Sequence, residues 1–384
     1  MSEPGEAGSL PTIFMAGPDV GPIELGFVTD AMVNGWYGKE AYAYVERFER
    51  EFADYHDRRH GLMTPNCTTA IHLVLEGLGI GAGDEVIVPE STWVGSSAGI
   101  MHAGASTVFA DIDERTWCLS DETVRQELTP QTRAVIAVDL YGNMPEWDSL
   151  SRVCADSGVP VIEDAAEALG SIYRGKRAGK YGIASVFSFH RTKTISTGEG
   201  GMLLTDDDDL FDRCRFLRDH GRQPGSYFNT EVAYKYMPFN VQAALGYGQF
   251  TRIEELVGRK RETFHLYRAL LPQDGSVQVN LETDDLVNGA WATTVVFAEH
   301  TRITTDAAID AMASKGIPLR PFFYPLSSLP AYSSNDSGGR DRHPTAYDLG
   351  GRGVHLPCAL NLTDDQIRYV AHELTAWIRA CDHA

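Results

Sequence analysis

Short apolar runs alternate with longer amphipathic ones from about residue 13 to residue 252. The runs at 85–88, 106–109, 134–140, 159–162, 185–189 and 202–204 are the right length for buried strands. Between them, 40–55, 68–79, 94–103, 120–128 and 145–157 carry apolar positions at helical spacing. Strands alternating with helices predict an α/β domain with a mostly parallel sheet, covered by helices on both faces. After Ile253 the rhythm changes. A long helix is expected over 253–271, a strand over 292–297, a helix over 305–315 and a closing helix over 364–380. This predicts three parts: a loose N-terminal tail (1–12), a large domain (13–252) and a smaller α/β domain (253–384). The stretch 327–345, rich in Ser, Gly, Asp and Pro, is expected to be a mobile loop. No internal repeat is visible.

Composition narrows the function classes. The chain has 384 residues, 43% hydrophobic and 22% charged, ordinary values for soluble globular material with room for two cores. No apolar run is long enough to span a bilayer, and the N-terminus has no basic-then-apolar leader pattern, so a cytoplasmic location is the default expectation. A formal charge of −20 argues against nucleic acid as a partner, yet leaves room for an anionic small substrate held by a few local cations. The six cysteines show neither CxxC nor Cys/His ligand spacing, so no metal site or disulfide framework is expected.

The candidate chemistry centres on one lysine. Ser188-Phe189-His190-Arg191-Thr192-Lys193, followed by Thr197-Gly198-Glu199-Gly200-Gly201, places Lys193 in a polar, Gly-rich segment between two strand-like runs. A loop lysine among small residues can reach a carbonyl and form an imine with it, which is how enzymes hold pyridoxal phosphate (PLP). Taken alone, Lys193 reads equally as a solvated surface charge. Upstream, Asp164 in Val161-Ile162-Glu163-Asp164-Ala165-Ala166-Glu167 ends another apolar run, at the strand end where open α/β sheets place ligands. A carboxylate touching the pyridine nitrogen would keep that ring protonated. The competing reading is a helix cap, because Asp before Ala-Ala-Glu fits a capping box. There is no GxGxxG dinucleotide fingerprint.

The order of motifs resembles the DegT/StrS-type sugar aminotransferases over about residues 14–378. Asn34-Gly35-Trp36, Asn66-Cys67-Thr68-Thr69-Ala70, Gly83-Asp84-Glu85-Val86-Ile87-Val88-Pro89, Glu163-Asp164-Ala165-Ala166 and the run from Ser188 to Gly201 carry the resemblance. Glu167, Lys193-Thr194-Ile195 and Arg320-Pro321-Phe322-Phe323-Tyr324-Pro325 make it most similar to the perosamine synthase-like branch. The resemblance implies the fold-type I PLP-dependent aminotransferase fold, with Lys193 and Asp164 as the catalytic pair. It further implies that Thr68, Thr69 and Ser188 meet the cofactor phosphate, that Trp93 stacks on the ring and that Glu167 contacts the cofactor. The bland readings are helix capping for the threonines, a satisfied strand-end hydroxyl for Ser188, a core Trp93 and a water-facing Glu167. His190, Arg320 and Tyr324 are implied substrate contacts, with His190 equally a spectator that shapes the pocket.

Four positions depart from the family pattern. Cys67 stands where Gly is usual, which predicts an altered backbone angle in that loop. In Tyr234-Lys235-Tyr236-Met237-Pro238, a segment that reaches the partner subunit's cofactor phosphate in the family, Lys235 and Met237 replace the usual Asn and Arg. Lys235 keeps a charge for that phosphate; Met237 does not. Ser327 stands where His often follows Tyr-Pro-Leu. The implied activity is transfer of an amino group from L-glutamate to C4 of a nucleotide-linked 4-keto-6-deoxyhexose, by a homodimer with shared active sites. The alternatives are a keto-cyclitol or another sugar carbon in antibiotic biosynthesis, or a non-catalytic regulator on the same scaffold.

Overall fold

The computed structural model describes residues 12–223, 225–333 and 338–382. In chain order its strands are β1 (His60–Thr64), β2 (Glu85–Pro89), β3 (Ser106–Ala110), β4 (Thr132–Val138), β5 (Val161–Asp164), β6 (Ile172–Tyr173), β7 (Lys176–Arg177), β8 (Ala184–Ser188), β9 (Gly201–Thr205), β10 (Val277–Val279), β11 (Leu286–Val287), β12 (Thr294–Phe297), β13 (Arg320–Pro321) and β14 (Gly353–His355). The main sheet has seven strands in the order β1-β9-β8-β5-β4-β2-β3. β8, β5, β4, β2 and β3 run parallel, and only β9 is reversed, pairing antiparallel with both β1 and β8. Strands such as β9 and β5 are buried along their whole length, as expected when helices cover both faces. The α/β, fold-type I architecture anticipated from the alternation and the motif order is therefore present.

A four-stranded antiparallel sheet, β10-β12-β14-β13, forms a second layer system with the helices Ile253–Leu270, Thr305–Ala313 and Asp364–Asp382. Its core includes Ile13 from the start of the chain. Cys358 N–H donates to Met15 O at 2.8 Å and Leu360 N–H to Gly17 O at 3.2 Å, so the first described residues run along the C-terminal unit.

Some elements differ from the pattern-based expectation. The helices Pro22–Asn34, Asp208–Arg218 and Asn240–Phe250 were not anticipated. Pro22–Asn34 keeps Leu25, Met32 and Val33 in the open, at 61, 51 and 72% exposure, so no stripe points at its own core. Asn240–Phe250 is buried nearly all round and contains Gly246 and Gly248, which blurs the helical period. β4 stops at Val138 instead of reaching residue 140, because Tyr141 turns left-handed (φ 56°). The stretch 327–345 is not a plain loop. It contains short helices at Pro330–Tyr332 and Gly339–Arg342, and Tyr332 and His343 are buried. Residues 334–337 of that stretch, and the tail 1–11, lie outside the described residues.

Candidate active site

Because β5 and β8 are parallel, their carboxyl ends meet at one edge of the sheet. Asp164 ends β5 and Ser188 ends β8, and the loop leaving β8 carries Lys193. The helix Cys67–Gly77 and the helix Val94–His102 open toward the same edge. Together with the wall formed by Arg320, Phe323 and Tyr324, they enclose a cavity of about 490 Å³.

Lys193 lies inside it. Its Nζ donates to Glu167 Oε1 at 3.0 Å, and the side chains are only 13% and 5% exposed. The same ammonium sits 3.8 Å from the centre of the Trp291 ring, a cation–π contact. Trp291 is itself tied to the lysine loop by its Nε1–H bond to Thr192 O at 2.8 Å. The second oxygen of Glu167 accepts from Tyr141 N–H at 3.1 Å. Burial pushes the Glu167 carboxyl up, and the Lys193 charge beside it pulls the other way.

Asp164 is buried across the cavity. Oδ2 accepts from Ser96 Oγ at 2.7 Å and Oδ1 from Ala166 N–H at 3.1 Å, with the Cys67 thiol 4.0 Å from Oδ1. No helix follows Asp164, so its contact with Ala166 is a turn and the capping-box reading fails. Burial raises its pKa against those donors and the Lys193 charge. Lys193 ion-pairs with Glu167 and not with Asp164, which leaves a buried carboxylate facing the cavity with no cationic partner among the described residues.

Asn66 caps the helix Cys67–Gly77, its Oδ1 accepting from Thr69 N–H at 2.9 Å. The first turn's remaining N–H groups have no helical acceptor, and Thr68 projects into the cavity beside them. Two glycines keep this end open. A Cβ on Gly95 would meet Thr68 Oγ1 at 2.9 Å, and one on Gly201 would meet the Asn66–Cys67 backbone at 2.6 Å. Cys67 shows no left-handed backbone; it starts the helix regularly and turns its thiol into the cavity.

Thr68, Trp93, Asp164, Glu167, Ser188, His190, Lys193, Arg320 and Tyr324 all line the one cavity. Trp93 is 62% exposed there, not a core residue. Thr69 does not line it: its hydroxyl bonds back to Asn66 O at 2.8 Å, a capping role. Lys235 is also elsewhere in its own chain, in a surface groove, paired with Asp219 at 2.7 Å. Ser327 accounts for the missing His differently, binding Glu90 Oε1 through its N–H at 2.9 Å outside the cavity. Sequence reasoning missed Ser96, Tyr141, Trp291 and His355, which have no local motif, and gave no role to Arg191, which lies inside the Ser188–Lys193 motif. Arg191 and Arg320 both line the cavity and neither forms an ion pair with a described residue. Burial lowers the His190 pKa, with both guanidiniums adding to the effect.

The model of the DegT/DnrJ/EryC1/StrS aminotransferase family matches residues 19–375. The chain belongs to that family. It is 35% identical to a GDP-perosamine synthase of Escherichia coli O157:H7, over 91% of this chain and 94% of that one. A GDP-perosamine synthase of Caulobacter vibrioides is 36% identical, over 93% and 96%. Among solved structures, DesI in the presence of its TDP-sugar product superposes with a TM-score of 0.88 and 28% identity, covering 98% of this chain and 95% of that one. The chain is thus an aminotransferase, and its cofactor is pyridoxal phosphate. The cavity fits that group: a buried carboxylate lacking a cation, a capped helix end kept open by Gly95 and Gly201, and an amine between them. No helix among the described residues is long and apolar enough to cross a membrane.

Proposed function

We propose that this enzyme transfers an amino group from L-glutamate to the ketone of a nucleotide-linked sugar, at C4 of a 4-keto-6-deoxyhexose. The observation that carries the reading is the pairing, in one cavity, of the Lys193 amine with Glu167 on one side and the unpaired Asp164 carboxylate on the other. When bound, pyridoxal phosphate supplies a carbonyl that takes up amines and a ring that accepts the electron pair left by a departing proton. Lys193 would hold that carbonyl and, as a free amine, would move the proton of the donor's α-carbon as general acid/base. Glu167 would keep that amine in place. Asp164 would pair as a carboxylate with the ring nitrogen, Thr68 and Ser188 would receive the phosphate, and Trp93 would flank the ring.

Arg191 and Arg320, uncompensated in a chain of charge −20, suit the diphosphate of a nucleotide sugar. The GDP-perosamine synthases, about one-third identical over nearly full length, support the sugar class. We also propose a cytoplasmic location for the enzyme. The exposed apolar residues Val33, Trp36 and Tyr37, together with Tyr227, Phe228 and Val232 in the segment before Lys235, support a homodimer that shares its active sites. A single-chain mass in light scattering would refute the dimer.

Lys193→Ala tests the core of the reading. The variant is expected to lose the roughly 400–430 nm absorbance of lysine-bound cofactor and its turnover with glutamate and a keto sugar. Normal turnover would overturn the assignment. Product from a keto-cyclitol in place of the nucleotide sugar would redirect the substrate class alone.

A further inference from the structure

Tyr141 joins the two sides of the cavity, and it does so from a strained backbone. It follows the end of β4 with φ 56° and ψ 24°, left-handed values that a bulky side chain rarely adopts. It is fully buried. This turn aims its N–H at Glu167 Oε2 (3.1 Å), whose other oxygen holds Lys193 at 3.0 Å. At the far end of the same residue, the phenol oxygen accepts from Phe323 N–H at 2.8 Å. Its ring stacks on Phe323 with centroids 5.1 Å apart and meets the edge of His355 at 4.4 Å. Asn280 Nδ2 donates to its carbonyl at 2.8 Å, so N–H, C=O and hydroxyl are all engaged.

Glycine would make this turn without strain; the phenol and the ring are what it could not supply. Phe323 and Tyr324 belong to the cavity wall contributed by the small sheet, whereas Glu167 and Lys193 belong to the large one. We propose that Tyr141 is a positioning residue that couples this wall to the Lys193–Glu167 pair. Contact of the acceptor substrate with Phe323 and Tyr324 is passed through one rigid, fully bonded residue to the carboxylate that holds the reactive amine. The proposal rests on the roles given above to Lys193 and Glu167.

Tyr141→Phe keeps the backbone and the ring and removes only the hydroxyl. In the loaded, full-length enzyme, KM for the keto sugar is expected to rise about tenfold, with kcat changed less than about twofold and a modest loss of thermal stability as the Phe323 N–H loses its acceptor. In the cofactor-free protein, acetylation of Lys193 by acetic anhydride, followed by mass spectrometry, is expected to quicken about twofold or more as the grip of Glu167 loosens. An unchanged KM overturns the coupling. A raised KM with an unchanged acetylation rate overturns it as well, since Tyr141 would then serve the wall alone. Lys193→Ala separates the two levels: if that variant turns over normally the site reading itself fails, and if it is dead while Tyr141→Phe behaves as wild type only the coupling fails.

Discussion

Ser96 offers the sharpest test of how the site holds its cofactor. Its hydroxyl makes the shortest bond to Asp164, 2.7 Å to Oδ2, and is buried. Ser96→Ala leaves that carboxylate with Ala166 N–H at 3.1 Å and a thiol at 4.0 Å, both on the other oxygen. Thr92 Oγ1, 2.9 Å from Ser96 Oγ, loses a partner too. A hydrogen bond to a charged acceptor contributes roughly 1.5–3 kcal/mol. Burial already pushes the Asp164 pKa up, and the Ser96 bond is the largest influence opposing it. Removing it raises that pKa further and favours the neutral acid, which cannot pair with a protonated ring nitrogen. At about 1.4 kcal/mol per factor of ten, cofactor affinity should fall roughly 10- to 100-fold. The assay is titration of the cofactor-free protein with pyridoxal phosphate, followed by quenching of tryptophan fluorescence. The deficit should be largest at acidic pH and shrink as rising pH ionises Asp164. Ser96→Thr, which keeps the hydroxyl, should bind nearly as wild type. Affinity of Ser96→Ala within about twofold of wild type throughout that range would refute the chain of reasoning.

Two further outcomes concern the walls of the site. In Gly201→Ala the new Cβ would strike the Asn66–Cys67 backbone at 2.6 Å, in a register where Gly201 pairs with both Thr64 and Ser188. Overpacking of this kind costs about 1–3 kcal/mol, so chemical denaturation should show that loss together with weaker cofactor binding; a neutral variant would mean the helix end is not held closely. Glu90 is buried beneath the turn at Ser327, with Asp111 nearby, and burial pushes its carboxyl up from 4.5 to about 7. A carboxyl raised in the fold contributes stability that is present in full below its unfolded pKa and lost as pH climbs through the folded value. Wild type should therefore lose up to about 3 kcal/mol relative to Glu90→Gln between about pH 4.5 and pH 7. Melting curves of the two proteins that stay parallel over that window would show that Glu90 does not titrate so.

Much of the seven-stranded sheet and its helices was readable in the order of residues, because their signals are local. Strand-length apolar runs, the Asn66 cap, the strand-end positions of Asp164 and Ser188 and the loop position of Lys193 need only a few neighbouring residues to be recognised. Parallel strands then bring those ends to one edge, so the amine and the carboxylate converge by topology. Helices such as Asn240–Phe250 escaped notice because complete burial erases the polar face that marks a helical period. The partners of the reactive groups escaped for a different reason. Ser96 lies 68 residues from Asp164, and Tyr141 lies 182 residues from Phe323. Contacts at such separations leave no spacing rule in the chain; they exist only once the elements have packed. The residue types and strand order of this chain thus determined which chemistry it carries. Only the tertiary structure decided that Lys193 rests on Glu167 and Trp291, that Thr69 and Lys235 stay outside this cavity, and that Asp164 has no cationic partner among the described residues, because burial and distance are properties of the packed whole.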